Sequence, residues 1–143
     1  MGKIIVNSDG GARGNPGPAA IGVVIDVEGK KHEISKCIGD ATNNQAEYQA
    51  VIEALKFIQS NLENRTPGVR ENGLEIECLL DSELVVEQLN GRYKIKNEGL
   101  KPLFLEIRNL IIAIGGDVTF KHIRREQNKK ADELVNKALD EAK

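Results

Sequence analysis

Four carboxylates stand where the 143-residue chain could do chemistry: Asp9, Glu47, Asp81 and Asp132. Asp9 closes an apolar segment and is followed at once by Gly10 and Gly11. Asp81 ends a second apolar segment and immediately precedes a helical one. Glu47 has helical spacing to Val51, Ala54, Leu55 and Ile58 and so shares their apolar stripe. Asp132 shares a face with Val135 and Leu139 in the same way. A carboxylate aimed at a core is costly unless it is paired or bound to a cation. Singly, each has an ordinary explanation: a turn former at Asp9, a helix cap at Asp81, first-turn acids complementing the helix dipole at Glu47 and Asp132. Together, four converging carboxylates repel, and some would have to stay protonated without cations. Hard divalent ions such as Mg²⁺ (or Mn²⁺) resolve the conflict, because they take carboxylate oxygens and leave positions for phosphate oxygens. Two such ions about 4 Å apart suit phosphodiester hydrolysis.

The elements that must position these acids follow from the apolar pattern. Lys3–Ser8, Ala20–Val27 and His32–Ile38 read as strands, the latter two joined by the turn Glu28-Gly29-Lys30-Lys31. The spacing predicts a helix over Asn43–Leu62, opened by a capping box of Thr42 and Gln45. The polar stretch Asn61–Gly73, with Pro67, Gly68 and Gly73, is expected to be a loop. Leu74–Leu80 alternates as a strand, Ser82–Leu89 is a short helix stopped by Asn90-Gly91, and Leu100–Ile114 is a helix with Pro102 in its first turn. Val118–Ile123 is a last strand and Asn128–Ala142 a last helix. The order βββαβααβα predicts one α/β domain over residues 1–143: a five-stranded mixed sheet, three strands antiparallel and two more parallel to the first, flanked by helices. In such sheets ligands bind outside the carboxyl ends of parallel strands, where Asp9 and Asp81 would meet.

Composition is that of a globular domain, with 29% charged and 40% hydrophobic residues and a net charge of −2. No global excess of positive charge advertises a polyanion, so nucleic-acid binding must come from local patches or bound cations. Lys121, Arg124, Arg125, Lys129 and Lys130 form one such patch, which could equally be a solvated face. Cys37 and Cys78 lack metal-ligand spacing and are expected to be reduced, buried small hydrophobes, with a disulfide left open. No apolar run reaches membrane-spanning length and no leader-like segment opens the chain, which sets the expectation of a cytoplasmic protein without a membrane partner.

The segments around the acids are Asp9-Gly10-Gly11-Ala12-Arg13-Gly14-Asn15-Pro16-Gly17-Pro18, Thr42-Asn43-Asn44-Gln45-Ala46-Glu47, Asp81-Ser82 and Asn128-Lys129-Lys130-Ala131-Asp132. In order and spacing the chain resembles type 1 ribonuclease H along nearly its whole length. The resemblance implies a ribonuclease H-like fold, a monomer, and an endonuclease that cuts the RNA strand of RNA–DNA hybrids with two metal ions, leaving 5′-phosphate and 3′-hydroxyl ends. It assigns metal binding and catalysis to Asp9, Glu47, Asp81 and Asp132. It matches Thr42 to a phosphate-pocket residue and Asn15, Asn43 and Asn44 to hybrid-contacting positions. Short polar groups of this kind can read phosphates and 2′-hydroxyls. Gly10 and Gly11 are expected to let nucleic acid approach the backbone. His122 stands ten residues before Asp132, where the family has a mobile histidine that aids proton transfer or product release.

Two departures are visible. The segment after His122, Ile123-Arg124-Arg125-Glu126-Gln127, lacks the glycine-rich loop of familiar bacterial members, so Arg124 or Arg125 is expected to take over phosphate contact. The segment Asn90–Lys101 is short and lacks the tryptophan of the family's basic protrusion, though Arg92, Tyr93, Lys94 and Lys96 remain. These departures leave two alternatives open: a same-fold nuclease cutting double-stranded RNA or RNA–DNA junctions, and a nonenzymatic hybrid-binding module.

Overall fold

The computed structural model describes residues 3–63 and 74–142. Three strands come first: β1 (Lys3–Ala12), β2 (Gly17–Val27) and β3 (Lys30–Ala41). Helix α1 (Asn43–Glu63), β4 (Glu75–Leu80), α2 (Glu83–Leu89), α3 (Lys101–Ile114), β5 (Asp117–His122) and α4 (Lys129–Glu141) follow, with a short 3₁₀ turn at Arg125–Gln127 before α4. The sheet order is β3-β2-β1-β4-β5. β2 pairs antiparallel with β1 and β3, while β4 is parallel to both β1 and β5. This is the mixed sheet expected from the element order. The loop expected after α1 falls largely on residues 64–73, outside the described residues.

Strands β1 to β3 run longer than their apolar patterns. β1 does not stop at Ser8 but continues to Ala12, because β2 still offers ladder partners from Asp9↔Gly22 to Ala12↔Ala19. The β2–β3 connection is two residues, not four: Glu28 and Gly29 both have positive φ (52° and 87°), and Asp26 Oδ1 accepts the Gly29 N–H at 2.8 Å. Polar residues carry these extensions, so hydropathy alone could not find them.

Helices cover both faces of the sheet. On one face α1, joined by α3, seals the main core of Val6, Ile21, Val23, Ile25, Val51, Leu55, Ile76 and Leu80. On the other, α4 packs on β2 around Ala20, Val135, Ala138 and Leu139. Double coverage explains why β2 reads as a nearly unbroken apolar run rather than alternating. Cys78 is buried in the main core as expected, but Cys37 is exposed, because β3 is an edge strand covered only in part; both thiols are free. No described helix is long and apolar enough to cross a membrane.

Candidate active site

Parallel strands bring the site to one edge of the sheet. The β1–β4 ladder ends at Ser8↔Leu80, so Asp9 and Asp81 are the next residues on neighbouring strands. Glu47 joins them from the second turn of α1. The carboxylate oxygens of Asp9, Glu47 and Asp81 lie within 4.8 Å of one another.

Each acid is held by local structure. Glu47 is 5% exposed, and its Oε1 accepts the Gly10 N–H at 2.5 Å. Its Oε2 is buried with no hydrogen-bond partner among the described residues. Asp81 is spared the capping role open to it in the sequence, because Ser82 caps α2 instead, its Oγ accepting the Val85 N–H at 3.3 Å. Asp81 Oδ2 receives an N–H from Asn128 Nδ2 at 3.3 Å. Asp132 sits in the first turn of α4, its backbone N–H donating to the Asn128 carbonyl at 3.2 Å. It stands outside the tight triad, yet its charge reaches Asp9.

The electrostatics are those of a cation site. Burial, then the negative charges of Asp81 and Asp132, push the Asp9 carboxyl up to about 7. Glu47 is raised well above the usual carboxylate range by burial and by the charges of Asp9 and Asp81, only partly offset by the Gly10 N–H. Protons can relieve this repulsion, and so can a divalent ion. An all-carboxylate donor set with an orphaned buried oxygen fits a hard cation such as Mg²⁺ or Mn²⁺.

The polar residues beside the acids form a brace. Asn15 Oδ1 accepts the Asn43 N–H at 2.9 Å, and Asn43 Oδ1 accepts the Ala12 N–H at 2.9 Å, tying the glycine-rich turn to the start of α1. Thr42 and Gln45 form the expected capping box, with bonds of 3.1 and 2.9 Å. Asn15 and Asn43 are exposed and Asn44 is half-buried beside them. The side-chain oxygens of Asn15 and Asn43 are used inside the protein, so among the described residues their amide N–H groups are donors left for a ligand. His122 is exposed at the end of β5, opposite Leu80 and hence one residue from Asp81, with exposed Arg124 and Arg125 following.

The glycines after Asp9 also bear on how the helices meet the sheet. A Cβ on Gly10 would lie 2.2 Å from the Ala46 backbone carbon and oxygen, so its bareness admits α1, and its N–H is already committed to Glu47. Gly11 points to the opposite face, where a Cβ would lie 3.6 Å from Val135 Cγ1. One residue escaped the sequence reading altogether, and a second was named there without its contacts. Gly22 pairs directly with Asp9, and a Cβ there would lie 2.1 Å from the Ala131 carbonyl oxygen, so only glycine lets α4 and Asp132 come down beside β1. A lone glycine inside an apolar strand was the available signal. Asn128, 1% exposed, stands in a segment quoted above, but no spacing in the sequence shows that its side chain reaches Asp81.

Comparison with known proteins agrees with this geometry. A protein-family profile described as "Reverse transcriptase-like" matches residues 7–138. The structure of LC11-RNase H1, isolated from compost by a metagenomic approach, has a TM-score of 0.87 and 48% identity, covering 99% of each chain. The same enzyme in complex with an RNA/DNA hybrid also gives 0.87, at 46% identity over 97% of this chain and 98% of that one. Ribonuclease HI of Halobacterium salinarum is 37% identical over 99% of this chain and 66% of its own length. A bifunctional protein of Mycobacterium tuberculosis is 36% identical over 98% of this chain but only 36% of its own length, so the chain spans about a third of that relative. The chain belongs to the type 1 ribonuclease H family.

Proposed function

We propose that this protein is a divalent-cation-dependent endonuclease that hydrolyses the RNA strand of RNA–DNA hybrids, leaving 5′-phosphate and 3′-hydroxyl ends. The observation that carries this reading is the convergence of Asp9, Glu47 and Asp81 within 4.8 Å at an open sheet edge, with one buried carboxylate oxygen left unpaired. Two Mg²⁺ or Mn²⁺ ions held by Asp9, Glu47, Asp81 and Asp132 would activate a water and stabilise the leaving oxygen. The hybrid-bound relative supports the substrate class.

The chain's own residues supply position and charge. Asp9 lies close to both Asp81 and Glu47, and would be the acid shared between the ions. The Gly10 N–H fixes Glu47, so its carboxylate needs little reorganisation when the substrate arrives. Amides of Asn15 and Asn43 on a braced, rigid turn would contact the sugar–phosphate backbone and the 2′-hydroxyls that mark RNA. Thr42 and Asn44, neighbours of Asn43 in the chain, would add to that contact, while Arg124 and Arg125 would meet a phosphate near His122. The connection Asn90–Leu100 carries no helix, so the hybrid would be gripped without a full basic protrusion. All four acids come from one chain, and the proposed active unit is a monomer.

Cleavage of an end-labelled hybrid with Mg²⁺ or Mn²⁺ tests the reading, with double-stranded RNA and a chimeric RNA–DNA junction as competing substrates. The hybrid should be cut, EDTA should stop the reaction, and Glu47→Gln should abolish it without unfolding the protein. Hybrid binding that ignores EDTA, with no cleavage under any metal, would instead identify a binding module.

A further inference from the structure

We infer that Asn128 is a positioning residue that sets the placement of two of the four acids at once. This inference rests on the metal-dependent reading of the site above.

Asn128 precedes α4 at the position where an asparagine side chain usually accepts an N–H of its own helix. It makes no such bond. Its amide turns away into the sheet, where every polar atom is used. Nδ2 donates to the Ser8 carbonyl at 2.9 Å and to Asp81 Oδ2 at 3.3 Å, and Oδ1 accepts an N–H from Asn7 Nδ2 at 3.2 Å. Its backbone carbonyl meanwhile accepts the Asp132 N–H at 3.2 Å. One buried residue therefore joins β1 at the residue before Asp9, the β4 end at Asp81, and the first turn of α4 at Asp132.

The chemistry suits a cation site. A neutral amide orients Asp81 through Oδ2 without cancelling its charge, which a lysine or arginine there would do. Asn7, the donor that holds the amide plane, faces Asn128 from β1 and completes the support. Partners of this kind behind metal-binding side chains orient them, and losing one lowers metal affinity or activity by about 10–100-fold.

The test is the Mg²⁺ concentration that half-stabilises the protein in a thermal melt without substrate, read beside hybrid cleavage at the same Mg²⁺ concentrations. Asn128→Ala should raise the midpoint about tenfold or more. Its kcat should fall at low Mg²⁺ and recover at high Mg²⁺, with KM for the hybrid unchanged, a split that general loosening of the fold does not produce. An Asn128→Ala protein with the wild-type midpoint overturns the inference. Should that variant not fold in EDTA, Asn7→Ala decides: a raised midpoint supports the inference and a wild-type midpoint overturns it. A wild type that neither gains stability from Mg²⁺ nor cleaves hybrid overturns the metal-dependent reading itself, a failure visible before any variant is compared.

Discussion

Asp9→Asn should stabilise the metal-free protein while destroying its activity. In the folded chain the Asp9 carboxyl is pushed from 3.8 to about 7 by burial and by Asp81 and Asp132. Its folded pKa is raised, so the unfolded state releases this proton first as pH rises. Wild-type stability from this group is present below about pH 4 and is lost progressively through about pH 7. A displacement of about 3 units at about 1.4 kcal/mol each sets a ceiling of about 4 kcal/mol. Partial exposure and sharing of the proton with Glu47 reduce that, and about 2 kcal/mol is the expected gain above neutral pH. For a chain of this size it corresponds to a rise in melting temperature of about 6 °C. The assay is urea unfolding in EDTA at a pH near 4 and another near 8.5, about one and a half units above the folded pKa. The amide variant should match wild type at the lower pH and exceed it at the higher one. Adding Mg²⁺ at the higher pH should stabilise wild type and leave the variant little changed. An equal effect at both pH values, or destabilisation at the higher one, would refute the account of crowded, repelling carboxylates.

Three further outcomes follow from packing and from the exposed residues at and after His122. Gly22→Ala should be strongly destabilising, by about 2 kcal/mol or more, because its methyl would overlap the Ala131 carbonyl and push α4 from the sheet; cleavage per folded molecule should fall with it as Asp132 retreats, and denaturant midpoints beside activity check both. Arg124→Ala or Arg125→Ala should raise KM for the hybrid and lower the slope of log affinity against log salt by about one for each phosphate left without its cation. His122→Ala should leave turnover less affected, and the reverse ranking would give the histidine the role assigned to the arginines.

Much of this protein was legible without coordinates. Period-2 and period-3.6 patterns give the element order, and that order with short connections admits few sheets, of which the observed β3-β2-β1-β4-β5 arrangement is one. Glu47 betrayed itself by sharing the stripe of Val51, Ala54 and Leu55, and the Thr42–Gln45 box marked the helix start correctly. Hydropathy reports which face of an element is apolar; it does not report which element covers that face or how closely. Tertiary structure alone decided that Gly10 makes room for α1, that Gly22 makes room for α4, and that Cys37 is left exposed on a thinly covered edge. It also decided that Asp9 lies within a strand, since β1 continues on β2's hydrogen bonds after its pairing with β4 has ended. Above all it made Asn128, at the start of the last helix, a link between Asp81 and Asp132. A side chain's choice between its own helix and a distant carboxylate depends on distances across the fold, and no local pattern contains them. The residue types of the site were set by the sequence; their convergence was set by how closely two helices approach the sheet.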